Sequence, residues 1–409
     1  MRKLFLGLDL GTTSLIGRVC GADGQVLAEA SLDNPQQQFG ADVISRIEAA
    51  LAGYAVQLQT LLVEGINDLI NDLLAHTGAD PEQFTAAAAA ANPTISLLLA
   101  GETVEKLVRP PYRPDYLAGE PLDCDRLGVD LPVPLYLMPL VSGYVGGDLL
   151  SVLLASSPDE GPTLYIDLGT NAELALWDGV HWWGTSVAAG PAFEAGNLRC
   201  GMRYGFGAVT EVGIVRDQFT YTVAGGGTPK GICGSGLFSL FSCALQAGLI
   251  APDGRIRSAD EIDSNLARYL VADAEGQALQ LYRDARTCLL LTQQDVRAFQ
   301  LAKGAVRAGV NCLLERNSLS AEQLSSVRIA GALGGALPVT ALKGVAMLPE
   351  NVIEKCRFLP GVVLNGLLHV LQQEDGAEQA KKLASSLKVY PLSGTPAFQK
   401  AFLASLDFL

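Results

Sequence analysis

Two stretches of the chain share one succession of apolar and polar positions. Residues 3–9 form an apolar run that ends in an aspartate, and the segments 14–20 and 25–31 follow it after glycine-containing turns. Residues 163–167 repeat this beginning and are followed by two further apolar segments. Short apolar runs bounded by Gly and Asp are typical of β-strands. Each stretch therefore predicts a three-stranded β-meander.

A helical pattern follows the first meander. From residue 40 to about residue 74, apolar side chains recur at intervals of three and four, which predicts amphipathic helices. The tetrapeptide at residues 9–12 (DLGT) occurs again at residues 167–170, so the meander and its turn are present twice. This internal repeat predicts two homologous α/β lobes. The predicted divisions are 1–145 for lobe I, 146–364 for lobe II, and 365–409 for a C-terminal helix and tail that return to lobe I.

The repeated turn has the composition of a phosphate-binding hairpin. Glycine at the tip lets the backbone approach a phosphate closely, while amides and threonine hydroxyls supply hydrogen-bond donors. The aspartate at each strand end, Asp9 or Asp167, is a hard oxygen ligand that can hold Mg²⁺ through water. One copy of the tetrapeptide is typical of an ordinary strand and turn, whereas two copies in one context favour ATP and Mg²⁺. The predicted phosphate contacts are Gly11, Thr12 and Thr13 in the first turn and Gly169, Thr170 and Asn171 in the second.

Composition and charge narrow the class of protein. The 409 residues carry a formal net charge of −14, which argues against binding the backbone of a nucleic acid. With 49% hydrophobic and 18% charged residues, the chain has the composition of a folded protein. The most apolar stretch, residues 131–155, contains three prolines and Asp148, so no membrane span is predicted there.

The potential metal ligands are few and scattered. The eight cysteines include no C-x-x-C pair, and the three histidines have no neighbouring ligand at metal spacing. The sequence therefore predicts buried thiols in a reducing compartment, which indicates a cytoplasmic location. It predicts neither a zinc site nor an iron–sulfur cluster in this chain.

Three further glycine-rich segments complete a set of motifs. Residues 142–148 (SGYVGGD) precede a helical pattern, residues 329–335 (IAGALGG) follow a short apolar strand, and residues 361–366 (GVVLNG) begin a late helix. The two DLGT turns and these three segments make five motifs along the chain, at residues 9–13, 142–148, 167–171, 329–335 and 361–366. In type and order they resemble the five motifs of the acetate kinase, sugar kinase, heat-shock chaperone and actin superfamily. The resemblance implies an α/β fold with two duplicated lobes of the actin-like ATPase (ribonuclease H-like) type and a nucleotide cleft between them.

The resemblance also implies roles for individual residues. Asp148 is a candidate for orienting the water that attacks the γ-phosphate, and its structural alternative is a charge that stabilises a helix N-terminus. It joins Asp9 and Asp167 as the candidate catalytic residues. Gly190 is expected to approach a phosphate or a ribose. Three glycines, Gly331, Gly334 and Gly335, are expected under the adenosine, with a plain strand-to-helix turn as their alternative.

A narrower family likeness is carried by four other segments. They are residues 34–47 (NPQQQFGADVISRI), 188–194 (AAGPAFE), 230–236 (KGICGSG) and 291–303 (LTQQDVRAFQLAK). Together these segments resemble the ATP-dependent reductive activators of corrinoid proteins, along their ATPase-like domain. Within the first segment, Asp42 and Arg46 are four residues apart, a spacing that also favours a simple ion pair on a helix.

The narrower resemblance implies a specific activity. Such activators use ATP and an electron to return an inactive Co(II) corrinoid to Co(I) in methyltransferase systems. Family members usually carry a ferredoxin-like iron–sulfur domain, whereas this sequence begins at the first ATPase strand. The expected partners are therefore a corrinoid protein and a separate electron donor such as a ferredoxin, with a homodimer as a possible assembly and slow ATP hydrolysis as the expected reaction. Two alternatives stay open: an ATP-sensing scaffold or chaperone-like partner of a corrinoid protein without redox activity, and a small-molecule kinase.

Overall fold

The computed structural model describes residues 3–274, 276–331, 333, 337, 339–392 and 394–409. The strands are β1 Leu4–Leu10, β2 Ser14–Gly21, β3 Val26–Asp33, β4 Phe84–Ala91, β5 Glu120–Leu122, β6 Leu135–Leu137, β7 Thr163–Leu168, β8 Asn171–Trp177, β9 Trp182–Ala188, β10 Ala208–Val215, β11 Gln218–Val223, β12 Gly231–Ile232, β13 Leu270–Asp273, β14 Gly276–Arg283, β15 Cys288–Thr292, β16 Ser326–Ala330, β17 Cys356–Phe358 and β18 Leu387–Val389. The helices are α1 Val43–Ala49, α2 Ala55–Thr77, α3 Pro93–Ala100, α4 Cys124–Leu127, α5 Gly147–Ala155, α6 Gly234–Gln246, α7 Gln293–Arg316, α8 Val339–Gly344, α9 Val362–Gln372, α10 Gly376–Ser386 and α11 Pro396–Ala404.

The chain divides into two compact units. The first unit comprises Met1–Pro158, Val180–Gly184 and Gly361–Tyr390, and the second comprises Asp159–Gly179, Thr185–Pro360 and Pro391–Leu409. The units divide the chain differently from the predicted lobes: residues 146–158, 180–184 and 361–364 fall in the first unit, and 391–409 in the second. Helix α5 belongs to the first unit because it packs on α9 and β4 there. The last 19 residues, Pro391–Leu409, belong to the second unit because α11 packs along α7.

The first unit is built on a mixed sheet with the strand order β3-β2-β1-β4-β6-β5. The meander β1-β2-β3 is antiparallel, and β1 pairs on its other side with β4 in parallel. The parallel register joins Leu10 to Ala91, so β1 and β4 end at the same edge of the sheet. This edge is where parallel strands of open α/β sheets present their ligand-binding loops.

In the second unit, the adjacent strands β8-β7-β16-β17 of a six-stranded sheet repeat this arrangement. Strand β7 pairs antiparallel with β8 and parallel with β16, and its register joins Asp167 to Ala330. The first strand of each meander therefore lies at the centre of its sheet, next to a parallel strand from later in the chain. This shared order confirms the predicted duplication.

Each unit has its own apolar core. The four leucine side chains of β1 are buried, and they pack against one face of α2 and against the alanine-rich strand β4. In the second unit, Phe299 on α7 lies among Phe193, Phe238 and Phe241, with ring centroids 4.1–5.7 Å apart. Stacked and edge-on aromatic contacts of this kind add to the stabilisation from buried area. They also fix the position of Phe193, which directly precedes a site residue.

One helical stretch of the described chain, Val43–Thr77, is long and apolar enough to cross a membrane by length and composition alone. Gly53, with φ of 102°, interrupts this stretch between α1 and α2. The apolar face of α2 packs in the core of the first unit, and its other face carries Gln, Asn and Asp side chains. Core helices of folded proteins are commonly as long and as apolar as a membrane-spanning helix, and α2 has the contacts of a core helix.

Candidate functional site

The first predicted turn lies directly after β1. Asp9 is the penultimate residue of the strand and is partly buried, and Gly11, Thr12 and Thr13 connect β1 to β2. A Cβ atom on Gly11 would lie 2.8 Å from the carbonyl oxygen of Ser14, so the tight turn requires glycine at this position. The structure thus places all four predicted residues of the first turn at the carboxyl edge of the sheet.

Three successive carbonyl groups of the first turn are held from one side. The Gly11 carbonyl accepts a hydrogen bond from the Asn34 side chain at 2.9 Å, and the Thr12 carbonyl accepts one from the guanidinium of Arg46. The Thr13 carbonyl accepts from the Asn34 amide at 3.0 Å and from the Gln37 side chain at 2.6 Å. In a trans peptide the N–H points opposite to the C=O. The amides of this turn therefore point away from residues 34–46, as in an anion-binding nest.

Asp148 is brought to the same edge of the first unit. Its helix, α5, begins beside the end of β4, where a Cβ atom on Gly146 would lie 2.4 Å from the carbonyl oxygen of Ala91. The next residue, Asn92, donates from its side chain to the Thr12 hydroxyl at 3.0 Å. The end of β4 therefore contacts both the start of the helix that carries Asp148 and the first turn.

Burial raises the pKa of Asp148 to about 6, although hydrogen bonds from the backbone amides of Leu149 and Asp148 itself oppose this shift. The Leu149 amide lies 2.9 Å from the carboxylate oxygen Oδ1. The Leu149 amide belongs to the first turn of α5, so Asp148 also makes the contact expected of a charge at a helix N-terminus. A carboxyl group with a pKa near neutrality is suited to accept a proton from an attacking water.

The second turn is more acidic than the first. Asp167 on β7 lies opposite Glu173 on β8, and residues paired in this way place their side chains on one face of the sheet. Glu173 is buried, and its carboxylate accepts a hydrogen bond from Ser186 at 3.2 Å. In the first turn, the position opposite Asp9 is occupied by the apolar Ile16. The second turn is therefore the better candidate for holding a cation.

Gly190 and Gly331 both approach the second turn. The Gly190 amide donates to the Thr170 carbonyl at 2.7 Å, which turns the amide of Asn171 to the opposite side. Gly331 has φ of 132°, and a Cβ atom there would lie 2.3 Å from the carbonyl oxygen of Leu168. Gly331 is thus needed for close backbone contact with this turn, whereas at Gly190 it is the φ of 76° that favours glycine. Gly334 and Gly335 lie outside the described residues.

Glu194 is a site residue that was not predicted. Its carboxylate oxygen Oε1 lies 3.4 Å from the Thr170 hydroxyl and 3.4 Å from the position of a Cβ atom on Gly169. It ends the short 3₁₀ helix Pro191–Glu194, which is anchored by the buried ring of Phe193. A rigid support of this kind fixes the carboxylate beside the second turn.

We expect Glu194→Gln to lower the affinity for Mg-ATP by about 10-fold, because it removes one of the negative charges that attract the cation near the second turn. Titration with a fluorescent ATP analogue measures this effect. Glu315→Gln removes an exposed carboxylate from α7 and is the matched control, for which no change is expected. An unchanged affinity in Glu194→Gln would exclude Glu194 from the site.

Sequence reasoning also missed the residues that hold the first turn. Asn92, Asn34 and Arg46 are buried, with 7%, 0% and 0% of their surface exposed. The available signals were an Asn-Pro pair after an alanine-rich segment, and the polar residues of the segment 34–47. The predicted ion pair of Asp42 and Arg46 differs from the observed contacts. Asp42 caps α1 through the Ser45 amide, whereas Arg46 donates to oxygens of the turn region.

Among the residues that the structure describes, no three His, Cys, Asp or Glu side chains are grouped closely enough to hold a metal ion on their own. Mg²⁺ usually binds to one or two carboxylates and keeps several waters or phosphate oxygens as its other ligands. Asp9 and Asp167, each the penultimate residue of a central strand and beside a glycine turn, fit this mode of binding.

Models of one protein family match residues 4–409 of the chain. Residues 161–409 match the family model described as the C-terminal domain of RACo, the ASKHA domain, and residues 4–160 match the RACo middle region. The chain is 31% identical over 363 residues to the corrinoid activation enzyme RamQ of Eubacterium limosum, covering 84% of this chain and 60% of that protein. It is 26% identical over 325 residues to the [Co(II) methylated amine-specific corrinoid protein] reductase of Methanosarcina barkeri, covering 66% of this chain and 51% of the reductase.

A solved structure is also similar. The structure described as a reductive activator for corrinoid, iron–sulfur protein superposes with a TM-score of 0.91 at 29% sequence identity, covering 99% of this chain and 66% of that one. The present chain thus spans only about half to two thirds of the length of these three relatives.

Proposed function

Because the chain belongs to the RACo family and has its actin-like ATPase (ASKHA) fold, we propose that it is an ATP-dependent activator of a corrinoid protein. In this function it supports the reduction of Co(II) to Co(I) in a methyltransferase system. One observation carries the proposal. In a chain similar to corrinoid activators, two glycine turns lie beside strand-end carboxylates. Three carbonyls of the first turn and the Thr170 carbonyl of the second accept hydrogen bonds from other parts of the protein, so the amides of these peptides point the other way.

The residues of both turns fit a role in binding ATP and Mg²⁺. The amides and hydroxyls of the turns bind phosphate oxygens, and Asp9 and Asp167 hold Mg²⁺ largely through water. Bound Mg²⁺ neutralises negative charge on the phosphates during transfer. Asp148 orients the attacking water and accepts its proton, which makes the chain a slow ATPase. Gly190 is assigned to a phosphate or the ribose, and Gly331, Gly334 and Gly335 to the adenosine.

The cobalt reduction needs an electron that ATP does not supply. Co(II) gains one electron and becomes Co(I), while a separate donor, such as a reduced ferredoxin, loses one. ATP binding and hydrolysis contribute by favouring one conformation of the activator, and the bound corrinoid protein is reduced more easily in that conformation.

A reconstituted reaction tests this function. The purified chain is mixed with a Co(II) corrinoid protein of a methyltransferase system and reduced ferredoxin, and the visible absorption of Co(I) is followed. We expect Co(I) to accumulate only when the chain and Mg-ATP are both present. Equal Co(I) formation without ATP would contradict the proposal.

The same experiment separates the two alternatives. An ATP-dependent change in binding to the corrinoid protein without any Co(I) would support a scaffold or chaperone-like role. ATP consumption stimulated by a small molecule, with a phosphorylated product, would support a kinase.

The location and the assembly are part of the proposal. All eight cysteines are free thiols, six of them buried, which suits the reducing cytoplasm. A homodimer is the proposed assembly, and sedimentation of the purified chain measures it. Fractionation of the producing cells tests the cytoplasmic location.

A further inference from the structure

We infer that residues 34–46 are a positioning element for the first phosphate turn, and that Arg46 is the positioning residue whose buried charge strengthens phosphate binding there. This inference rests on the proposed nucleotide binding and assigns a role to a family-like segment that the function above does not use. It concerns the first unit alone.

The segment holds the turn by its backbone. Asn34, Gln37 and Arg46 bind the carbonyl groups of Gly11, Thr12 and Thr13, so each peptide of the turn is fixed in one orientation. An anion-binding nest needs its amides to converge before the ligand arrives, because ordering them on binding costs affinity. The segment supplies this order in the protein without a ligand.

Arg46 is itself held rigidly. Its guanidinium donates to the Gln36 side chain and to the Gly40 carbonyl, both at 3.1 Å, in addition to the Thr12 carbonyl. Gly40 has φ of 153°, and a Cβ atom there would lie 2.3 Å from the Cβ of Ser45. Only glycine therefore lets the chain turn closely enough to present this carbonyl. The Gln36 side chain is in turn fixed by donating to the Leu58 carbonyl at 2.8 Å.

The guanidinium carries a charge that solvent does not screen. Arg46 is 0% exposed, and burial lowers its pKa to about 10, opposed by Asp42, so it stays protonated at neutral pH. Asp42 uses its carboxylate to cap α1 through the amide and hydroxyl of Ser45. A buried charge acts over longer distances than an exposed one, because few water molecules surround it. Arg46 therefore adds positive potential behind the amides of the turn.

Arg18 provides a matched control in the same unit. It is also a buried arginine, 8% exposed, on the strand that follows the turn. Its guanidinium bonds to Glu29 at 2.8 Å and to the Asn365 side chain. Both buried arginines lose side-chain hydrogen bonds on substitution by methionine, but only Arg46 bonds to the turn.

The test compares Arg46→Met, Arg46→Lys and Arg18→Met in the full chain, by calorimetric titration with Mg-ATP, ADP and AMP and by thermal unfolding. We expect Arg46→Met to weaken Mg-ATP binding by about 10- to 100-fold, with smaller losses for ADP and AMP, since the effect follows phosphate charge. Arg46→Lys keeps the charge and should lose less than Arg46→Met. Arg18→Met should lower the unfolding temperature with ATP affinity within about twofold of wild type.

Each contrary outcome has a definite meaning. Equal losses for ATP, ADP and AMP, or an equal loss in Arg18→Met, would reduce Arg46 to a general stabiliser and overturn the inference. If Arg46→Met does not fold, Arg46→Gln takes its place as the variant without the charge, and an Mg-ATP affinity equal to that of Arg46→Lys would overturn the electrostatic role. A wild-type chain that binds no nucleotide would overturn the proposed function as well, whereas normal binding in all Arg46 variants would overturn this inference alone.

Discussion

Asp148→Asn is expected to unfold at a higher temperature than the wild type at pH 8 and yet to hydrolyse ATP about 10²- to 10³-fold more slowly. Both effects have one cause. The carboxyl group lies in a place where burial disfavours its charge, and the same place makes it a proton acceptor near neutral pH. The variant therefore separates stability from function at one residue.

The stability effect has a definite pH dependence. The pKa of Asp148 is raised from an ordinary 3.8 to about 6, so the folded protein binds a proton more tightly than the unfolded chain does. The free energy of unfolding is therefore highest below about pH 4. It falls by up to about 3 kcal/mol in total as the pH rises through about 6 and the folded carboxyl group ionises. Asparagine stays neutral at every pH. The variant should match the wild type at pH 4 and exceed it above pH 6.

Turnover depends on the ionised form of Asp148, whereas stability is favoured by the protonated form. Only the ionised carboxylate can accept a proton from water, so wild-type ATP hydrolysis should rise as the pH passes through about 6. The pH profile of the residual activity in Asp148→Asn should lack this step. Hydrolysis is measured as phosphate release between pH 5 and pH 8.

Asp68→Asn is the control for Asp148→Asn. Asp68 is exposed on α2 in the same unit, and its substitution removes the same charge without expected effect on turnover or on the pH dependence of unfolding. Wild-type turnover in Asp148→Asn would exclude Asp148 as the proton acceptor. Lower stability in that variant at pH 8 would contradict the account of its burial.

Asp9→Asn and Asp167→Asn are each expected to weaken Mg-ATP binding by about 30- to 100-fold. If these carboxylates hold Mg²⁺ through water, their loss removes the charge that the cation bridges to the phosphates. The larger loss is expected for Asp167, since Glu173 and Glu194 lie at the second turn, while an isoleucine faces Asp9.

Removing Mg²⁺ should reverse the sign of this effect. In the presence of a chelator, each carboxylate repels the negatively charged phosphates, so both variants should bind free ATP at least as tightly as the wild type does. Competition with a fluorescent ATP analogue, with and without chelator, measures the two affinities. Asp68→Asn again serves as the control. A loss of affinity that is equal with and without Mg²⁺ would show that the aspartates only stabilise their turns.

The fold could be predicted because its signals are local and repeated. The apolar run of β1, the DLGT turn and the following meander occur twice, and each copy forms the centre of a sheet. These features depend on residues that are close together along the chain.

The supports of the site could not be predicted for the opposite reason. Arg46 reaches the Thr12 carbonyl across 34 residues of sequence, and Asn92 reaches its hydroxyl across 80. Glu194 comes to Thr170 through an aromatic core that joins α6 and α7. Spacing along the chain carries no information on such contacts, and it favoured a local pairing of Asp42 with Arg46 that the fold does not use. The unit boundaries differ from the predicted divisions for the same reason, because the packing of α5 on α9 and of α11 on α7 assigns these helices to their units.

Calorimetric titration of the purified chain with Mg-ATP, beside the double variant Asp9→Asn/Asp167→Asn, decides whether the two turns bind the nucleotide. We expect one nucleotide bound per chain with an affinity in the micromolar range, which is about −8 kcal/mol, and no measurable heat in the double variant. Absence of binding in the wild type, or undiminished binding in the double variant, would contradict this expectation.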